Sequence, residues 1–238
     1  FDAVLMRSTW DYFKHYPAFR QWLDQLPVPT INNKALLRWN SDKRYLLELA
    51  AQGIEIIPTQ IVPASQLQQT LASMPTQQVV VKPTVSGTAR HTARGRSDDV
   101  AFSRIVAQLP LEFDYLIQPY VPEVVSDGEW SLLFFDGEFS HAVIKRPAAG
   151  DYRVQSEFGG TAQAIEPDEA LIATAKRALA AAAAIGHADI AYARVDGVIS
   201  QDRFLLMELE MIEPFLHFEG RHEAAERFAA NLRKRLAA

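Results

Sequence analysis

Ala191-Tyr192-Ala193-Arg194-Val195-Asp196-Gly197-Val198, then a polar break, then Phe204-Leu205-Leu206-Met207-Glu208-Leu209-Glu210: the reading of these two runs decides the fold. Both alternate in polarity and are rich in β-formers, so both are predicted strands. The turn falls within Gly197–Arg203. A hairpin closing near Asp202 sets Asp196 roughly opposite Glu208. Side chains alternate faces along a strand, so Glu208 shares a face with Glu210, and Arg194 with Asp196. Three carboxylates then crowd one patch, and like charges opposed in a ladder destabilise it. Two readings follow. A hard divalent ion, magnesium above all, takes oxygen ligands of this kind. Alternatively the patch is a solvated acidic face with Arg194 as its counter-ion.

The 238 residues are enough for one large domain or two lobes sharing a core. Hydrophobic residues make up 48% of the chain, so it is globular and not disordered. A net charge of −5 argues against a dedicated nucleic-acid binder, though not against a local basic cleft. With no cysteine there is no disulfide and no thiol chemistry, which suits a cytosolic protein. No apolar run reaches membrane-spanning length and no signal peptide is visible. The chain opens on Phe1 without Met, and is read as a fragment or the ordered part of a longer protein.

From the N-terminus, Asp2–Arg7 is predicted as a strand and Pro17–Leu26 as a helix with proline in its first turn. Trp10 and Tyr12 read as packing residues, and Asn32-Asn33 as a crossing between lobes. Asn40 or Ser41 can cap a helix that Gly53 ends, with Lys43 in its first turn. Lysine opposes the helix dipole there, which hints at another purpose. A strand over Ile54–Thr59 and a helix over Ser65–Met74 follow. Val79–Pro83 is an apolar strand carrying Lys82. Thr84–Arg96 is small, hydroxylated and basic, the composition of a loop that offers N–H groups and charge to phosphate. The Gly-x4-Gly-Lys-Ser/Thr spacing is absent.

Asp114–Pro122 is a strand running into a connector. Glu129–Phe135 and Glu138–Lys145 form a hairpin across Asp136-Gly137, a type I′ signal. Gly150–Gln155 and Phe158–Thr161 form a second polar loop. Pro167–Ile185 is an alanine-rich helix stopped by Gly186, and Glu223–Leu236 is a final amphipathic helix.

The ordered set of short motifs resembles the ATP-grasp superfamily, in the branch of prokaryotic glutathione synthetase and the cyclo-ligase of cycloserine biosynthesis. The motifs are Asn-Ser-Asp-Lys at 40–43, Val-Lys-Pro at 81–83, Ser-Gly-Thr at 86–88 and Gln-Pro-Tyr-Val at 118–121. Asp-Gly-Glu at 127–129, Arg-Val-Asp at 194–196 and Glu-Leu-Glu at 208–210 complete it, and Arg-Ser-Thr-Trp-Asp-Tyr near the N-terminus looks like the same branch.

The resemblance implies an α+β ATP-grasp fold with two α+β lobes and the nucleotide between them, preceded by the remnant of an N-terminal α/β (pre-ATP-grasp) domain. The expected division is 1–35 for that remnant, 36–117 for the small lobe and 118–238 for the large lobe. By resemblance, Lys43 and Lys82 contact the phosphates of ATP, and the loop with Ser86, Gly87 and Thr88 closes over them. Gln118, Tyr120 and Val121 line the adenine slot, and Glu129 holds the ribose. Lys145, Arg153 and Arg194 face the γ-phosphate or an acyl phosphate. Asp196, Glu208 and Glu210 bind two Mg²⁺ ions.

The implied activity is an ATP- and Mg²⁺-dependent, ADP-forming carboxylate–amine ligase working through an acyl phosphate. Ring closure within one molecule, or nucleotide binding without turnover, are the alternatives. Its partners are ATP and small carboxylate and amine substrates, with no nucleic acid or membrane; the location is cytoplasmic, and a homodimer is left open. Such chemistry needs cations and positioned donors rather than a protein nucleophile. Two features depart from the pattern. Glutathione synthetases commonly carry Asn where this chain has Glu210, and most of the N-terminal domain is expected to be missing.

Overall fold

The structure, a computed structural model, describes residues 1–237. Strand β1 (Val4–Leu5) precedes helix α1 (Tyr16–Gln25), which has Pro17 in its first turn as expected. Strand β2 (Thr30–Ile31) returns to pair parallel with β1. Helix α2 (Lys34–Asn40) is capped by Asn33, whose Oδ1 accepts from the Leu36 N–H at 3.0 Å. Helix α3 (Tyr45–Ala51) follows the turn at Ser41–Arg44.

Residues 60–119 build a four-stranded sheet from β3 (Gln60–Pro63), β4 (Gln78–Pro83), β5 (Ala93–Arg96) and β6 (Asp114–Pro119), in the order β3-β6-β4-β5. Helices α4 (Ala64–Ser73) and α5 (Val100–Val106) cover one face. Leu67, Leu71, Phe102 and Val106 bury Val79, Val81, Tyr115 and Ile117 there. Gly95 permits this close packing, because a Cβ on it would stand 2.4 Å from the Phe102 ring. Strand alternation puts Val80, Lys82, Leu116 and Gln118 on the opposite face.

After the short helix α6 (Glu123–Ser126) comes a five-stranded antiparallel sheet. It is made of β7 (Glu129–Phe135), β8 (Glu138–Arg146), β9 (Thr161–Ile165), β10 (Tyr192–Ser200) and β11 (Arg203–Glu210), in the order β11-β10-β7-β8-β9. The β7–β8 turn has both Asp136 and Gly137 at positive φ (51° and 77°), as the type I′ reading requires. Between β9 and β10 runs α7 (Glu169–Ala184), capped by Asp168. Its buried alanines pack with α2, α3, Leu132, Phe134, Val195 and Leu209 into the largest core. Helix α8 (His222–Leu236) covers one end of the opposite face through Phe228, against Leu133, Phe135 and Tyr192.

Several local expectations need correction. Neither Asn40 nor Ser41 caps α3; its N-terminus has no side-chain cap. Asn40 ends α2 and bonds instead to the edge of β11, accepting from Met211 N at 2.7 Å and donating to Leu209 O at 2.6 Å. Lys43 therefore sits in the turn before α3, not in its first turn. Ile54–Thr59 is not a strand: it contributes one bridge, Ile56 to Leu206, and the strand begins at Gln60. The basic segment 84–96 ends in β5, because its last four residues complete the ladder against β4. Helix α5 and strand β9 have no counterpart in the sequence reading. Asn32 is more than a crossing: buried at positive φ, it bonds to Ala191 N, Tyr192 O and Met211 O. It thereby ties the N-terminal segment to the hairpin. No helix among the described residues is long and apolar enough to cross a membrane.

Candidate active site

The β10–β11 hairpin turns at Gln201 and Asp202, both at positive φ. A two-residue turn there would by itself face Asp196 with Met207. The register instead shifts at Asp196/Gly197, which leaves Met207 unpaired and brings Glu208 opposite Asp196 and Glu210 opposite Arg194. Gly197 is required at this irregularity, since a Cβ would meet the Phe204 ring at 2.3 Å and Leu205 O at 2.6 Å. The extra residue keeps Glu208, Glu210 and Leu205 on one face despite their odd spacing.

That face changes character along the sheet. At one end Tyr192 and Phe135 lie beneath α8. In the middle stand Arg194, Asp196, Glu208 and Glu210, with Glu129, Ser131 and Lys145 from the neighbouring strands. At the far end Val198, Leu205 and Met207 pack with Val121, Val124 and Val154. An apolar patch thus adjoins a dense charge cluster on one continuous surface.

Every carboxylate in the cluster has a basic partner. Arg194 clasps Asp196 through Nε (2.9 Å to Oδ1) and Nη2 (2.8 Å to Oδ2), and reaches Glu210 Oε1 at 2.5 Å. Lys145 stands 2.5 Å from Glu129 and 3.3 Å from Asp196. Ser131 Oγ donates to Asp196 Oδ1 at 2.5 Å. Lys43 arrives from the other side, 3.0 Å from Glu208, and donates to Ser86 O at 2.6 Å. Lys82, half-buried on the inner face of the four-stranded sheet, lies in the field of Glu208 and Lys43. Four cations face four carboxylates, and the cluster is close to neutral.

The protonation equilibria reflect this balance. Burial pushes the Asp196 carboxyl up, but Arg194 and Lys145 outweigh it and hold it well below the usual range. Burial likewise raises Glu208, and Lys43 with Lys82 prevails to lower it. Glu210 is pushed up to about 7, by burial and then by Glu208 and Asp196, against the pull of Arg194. Glu129 is raised, chiefly by burial. Lys82 is lowered by burial, with Lys43 adding to the effect. Burial opposes charge on Lys145, but Asp196 and Glu129 win and raise it.

The remaining predicted residues are placed as follows. Ser86 is buried and donates to Pro83 O at 3.0 Å. Gly87 packs so closely on Phe13 that a Cβ would stand 2.7 Å from the ring, so the segment has an apolar anchor that the composition of the loop did not suggest. Thr88 is exposed, at positive φ. Gln118 is buried and donates to Thr59 Oγ1 at 2.8 Å. Tyr120 and Tyr152 both receive Arg94, whose guanidinium lies 4.6 Å from each ring centre. Val121 joins the apolar patch, and Glu129 is committed to Lys145. Arg153 bonds to Asp151 and lies 3.6 Å from the Phe158 ring centre. Those partners belong to its own loop; it forms no bond to the Arg194–Lys145 cluster among the described residues.

Three contributors escaped the sequence reading. Ser131 is a small residue in an apolar strand, visible only once β7 is registered against β10. Tyr45, whose hydroxyl accepts from Leu209 N at 3.0 Å, looked like core. Arg94 looked like one basic residue among several.

As to metal, among the described residues no group of three or more Asp, Glu or His is gathered closely enough to hold an ion. The donor chemistry nevertheless fits a hard cation. Glu208 and Glu210 are oxygen ligands on one face with side chains 30% and 29% exposed. Asp196, 3% exposed, has both oxygens occupied by Arg194, Lys145 and Ser131.

Residues 47–185 match the family described as prokaryotic glutathione synthetase, ATP-grasp domain. Residues 1–32 match the N-terminal domain of D-cycloserine synthetase DcsG. The chain is 36% identical over 250 residues to the cycloserine biosynthesis protein DcsG of Streptomyces lavendulae, covering 99% of this chain and 84% of that protein. It is 25% identical over 170 residues to the glutathione synthetase of Rhodopseudomonas palustris, covering 70% of this chain and 53% of that protein. The crystal structure of D-cycloserine synthetase DcsG superposes with a TM-score of 0.87 at 35% identity, over 99% of this chain and 84% of that one. D-alanine–D-alanine ligase from Bacillus anthracis shares the fold, with a TM-score of 0.66 at 20% identity over 92% of this chain and 73% of that one.

Proposed function

The chain belongs to the ATP-grasp family of prokaryotic glutathione synthetase and DcsG, and on that premise we propose that it is an ATP- and Mg²⁺-dependent carboxylate–amine ligase. The observation that carries this reading is the face of the five-stranded sheet, where a neutralised charge cluster adjoins an apolar patch. A purine suits the patch of Val121, Val154, Val198 and Met207, with Gln118 and Tyr120 beside it on the strand that leads there. The triphosphate then extends over Lys43, Lys82 and the Ser86–Thr88 segment. Glu129 is the ribose-side carboxylate. In this reading residues 1–35 close a preceding domain, 36–117 form the small lobe and 118–238 the large one.

Mg²⁺ would be held by Glu208 and Glu210, with Asp196 opposite as the anchor of Arg194 or as a further ligand. Bound there, it would neutralise phosphate charge and polarise phosphoryl oxygens. Because the protein cluster is already balanced, metal and triphosphate are best accommodated together. Arg194 and Lys145 are fixed by buried carboxylates and need no reorganisation to meet the charge developing on a transferred phosphoryl group. The product of that transfer is an acyl phosphate on the substrate carboxyl, which an amine then attacks with release of phosphate. Arg153, on its own loop, would reach the phosphates only if that loop closed.

The likeness to DcsG over nearly the whole chain favours ring closure, in which carboxyl and amine belong to one small molecule. ADP release over a panel of amino acids and amine-bearing acids tests both readings, because ring closure needs one organic substrate and ligation needs two. No ADP release with any substrate would leave a nucleotide-binding module.

A further inference from the structure

Beyond Glu210 the chain continues as Met211-Ile212-Glu213-Pro214-Phe215. This stretch is clasped by the N-terminal segment. Trp10 Nε1 donates to Glu213 O at 3.0 Å, Arg7 Nη1 donates to Pro214 O at 2.9 Å, and the Trp10 and Phe215 rings lie 6.2 Å apart. Trp10 and Phe215 remain 48% and 43% exposed, so the pair forms a wall and not a core.

Two polar atoms on the residues flanking these contacts lack partners. Glu213 Oε2 and Thr9 Oγ1 are shielded from solvent, and neither has a hydrogen-bond partner among the described residues. Among those residues Glu213 also lacks a basic group within salt-bridge distance, unlike each of the four carboxylates in the cluster beside it. Burying a carboxylate without hydrogen bonds or a counter-ion is costly. Burial, then Glu210 and Glu208, push the Glu213 carboxyl well up against the pull of Lys43. A cationic donor would relieve the carboxylate.

We propose that Glu213 and Thr9, walled by Trp10 and Phe215, bind the ammonium group of an amino-acid-like substrate. An ammonium offers three donors, which suit a carboxylate and a hydroxyl, and its charge is attracted to aromatic faces. The assignment rests on the ligase reading for its substrate class. It adds which end of the substrate is recognised, and by which residues.

The test is calorimetric binding in the presence of Mg²⁺ and ADP, with D-alanine and D-cycloserine as ammonium-bearing probes. Propionate is the deaminated control for D-alanine. The wild-type protein should bind at least one ammonium probe and bind propionate far more weakly. Glu213→Gln should weaken the ammonium probe by at least about tenfold, the loss expected for a charge-assisted contact. Thr9→Val should weaken it by a few-fold, and both variants should keep wild-type affinity for Mg²⁺–ADP. The backbone carbonyl that receives Trp10 is retained in Glu213→Gln, and Thr9→Val gives a second readout should that variant fold poorly. Wild-type binding of no ammonium probe, propionate binding as tight as D-alanine, or wild-type affinity in Glu213→Gln would each overturn the assignment. Loss of Mg²⁺–ADP affinity in Glu213→Gln would also overturn it, by making Glu213 a metal ligand. Failure of the wild-type protein to bind Mg²⁺–ADP is a separate result and would remove the ligase reading itself.

Discussion

Lys43 stands 3.0 Å from Glu208, and this one contact joins the turn before α3 to the β10–β11 hairpin. The same ammonium holds Ser86 O at 2.6 Å, so three distant segments meet at a single side chain. Like-charge repulsion across the hairpin, taken alone, would leave stability unchanged or raised when a carboxylate is removed. The observed pairing reverses that expectation. Glu208→Gln should lower stability by about 1–3 kcal/mol, because Lys43 and Lys82 lose their shared counter-ion. Urea unfolding measures that loss, and Mg²⁺-dependent ADP release should fall by far more than the unfolded fraction explains. A variant that keeps both its rate and its Mg²⁺ dependence would remove Glu208 from the metal site.

Lys82 is, among the described residues, the cluster cation without a close ion pair of its own. Burial and Lys43 lower its pKa, so its charge is held at a cost that a phosphate would offset. Lys82→Ala should weaken ATP binding by about 1.5–3 kcal/mol and nearly abolish turnover. Stability without nucleotide should change little. Calorimetric titration with ATP and Mg²⁺ checks the first claim, and wild-type affinity would exclude Lys82 from the phosphate site.

Burial, then Arg194 and Lys145, push the His217 imidazole down to about 3. In the unfolded chain its pKa returns to about 6.5. Its contribution to stability is therefore complete above pH 6.5 and is lost as pH falls from there toward 3. His217→Asn tolerates the positive φ of 48° at this position and removes the titrating ring. The drop in melting temperature between pH 7 and pH 5 should be smaller in the variant than in the wild-type protein.

The hairpin was legible because alternation and charge spacing survive in one dimension. Asp196 could be set opposite Glu208 from the sequence, although the true route combines a two-residue turn with an irregularity at Gly197. Lys82 stands out because a lysine at the end of an apolar strand breaks a pattern, and Lys43 because it falls where a helix is predicted to begin, although α3 starts only at Tyr45. What stayed hidden depends on contacts between distant segments. Asn40 reads as a helix cap, since nothing local says that it pairs with the edge of β11. Arg153 carries the expected sequence context, but its partners lie within its own loop. Strand β9 has four exposed residues out of five, and no periodicity marks it. The pairing of each carboxylate with a cation is likewise a property of the assembled sheet.

Gly197→Ala tests the register. A Cβ there would meet the Phe204 ring at 2.3 Å and Leu205 O at 2.6 Å, and the carbonyl cannot rotate away as a side chain could. The expected cost is about 1–3 kcal/mol, measured by urea unfolding. Mg²⁺-dependent turnover of the folded fraction should fall as well, because a slipped register moves Glu208 away from Asp196 and Lys43.

Arg94 reaches from the end of the basic segment to lie between Tyr120 and Tyr152, 4.6 Å from each ring. Tyr120 follows β6 and Tyr152 lies in the 150–161 loop, so one guanidinium links a small-sheet strand to a loop of the large sheet. The loop bonds within itself through Asp151, Tyr152 and Arg153, and Val154 anchors it against Val121, Val124 and Val198. An exposed cation–π interaction contributes about 0.5–1 kcal/mol per pair. The Tyr152 pair supplements the Val154 anchor, so Arg94→Ala should raise the opening of residues 150–161 by about two- to fivefold, with little change in global stability. Hydrogen exchange of that loop without nucleotide is the measurement. ATP analogue with Mg²⁺ should slow exchange at both 86–96 and 150–161 in the wild-type protein, and in Arg94→Ala the slowing at 150–161 should be smaller. Equal exchange in variant and wild type would mean that the two rings hold the loop without the guanidinium, and equal protection with and without nucleotide would rule out closure of the two segments over a bound triphosphate.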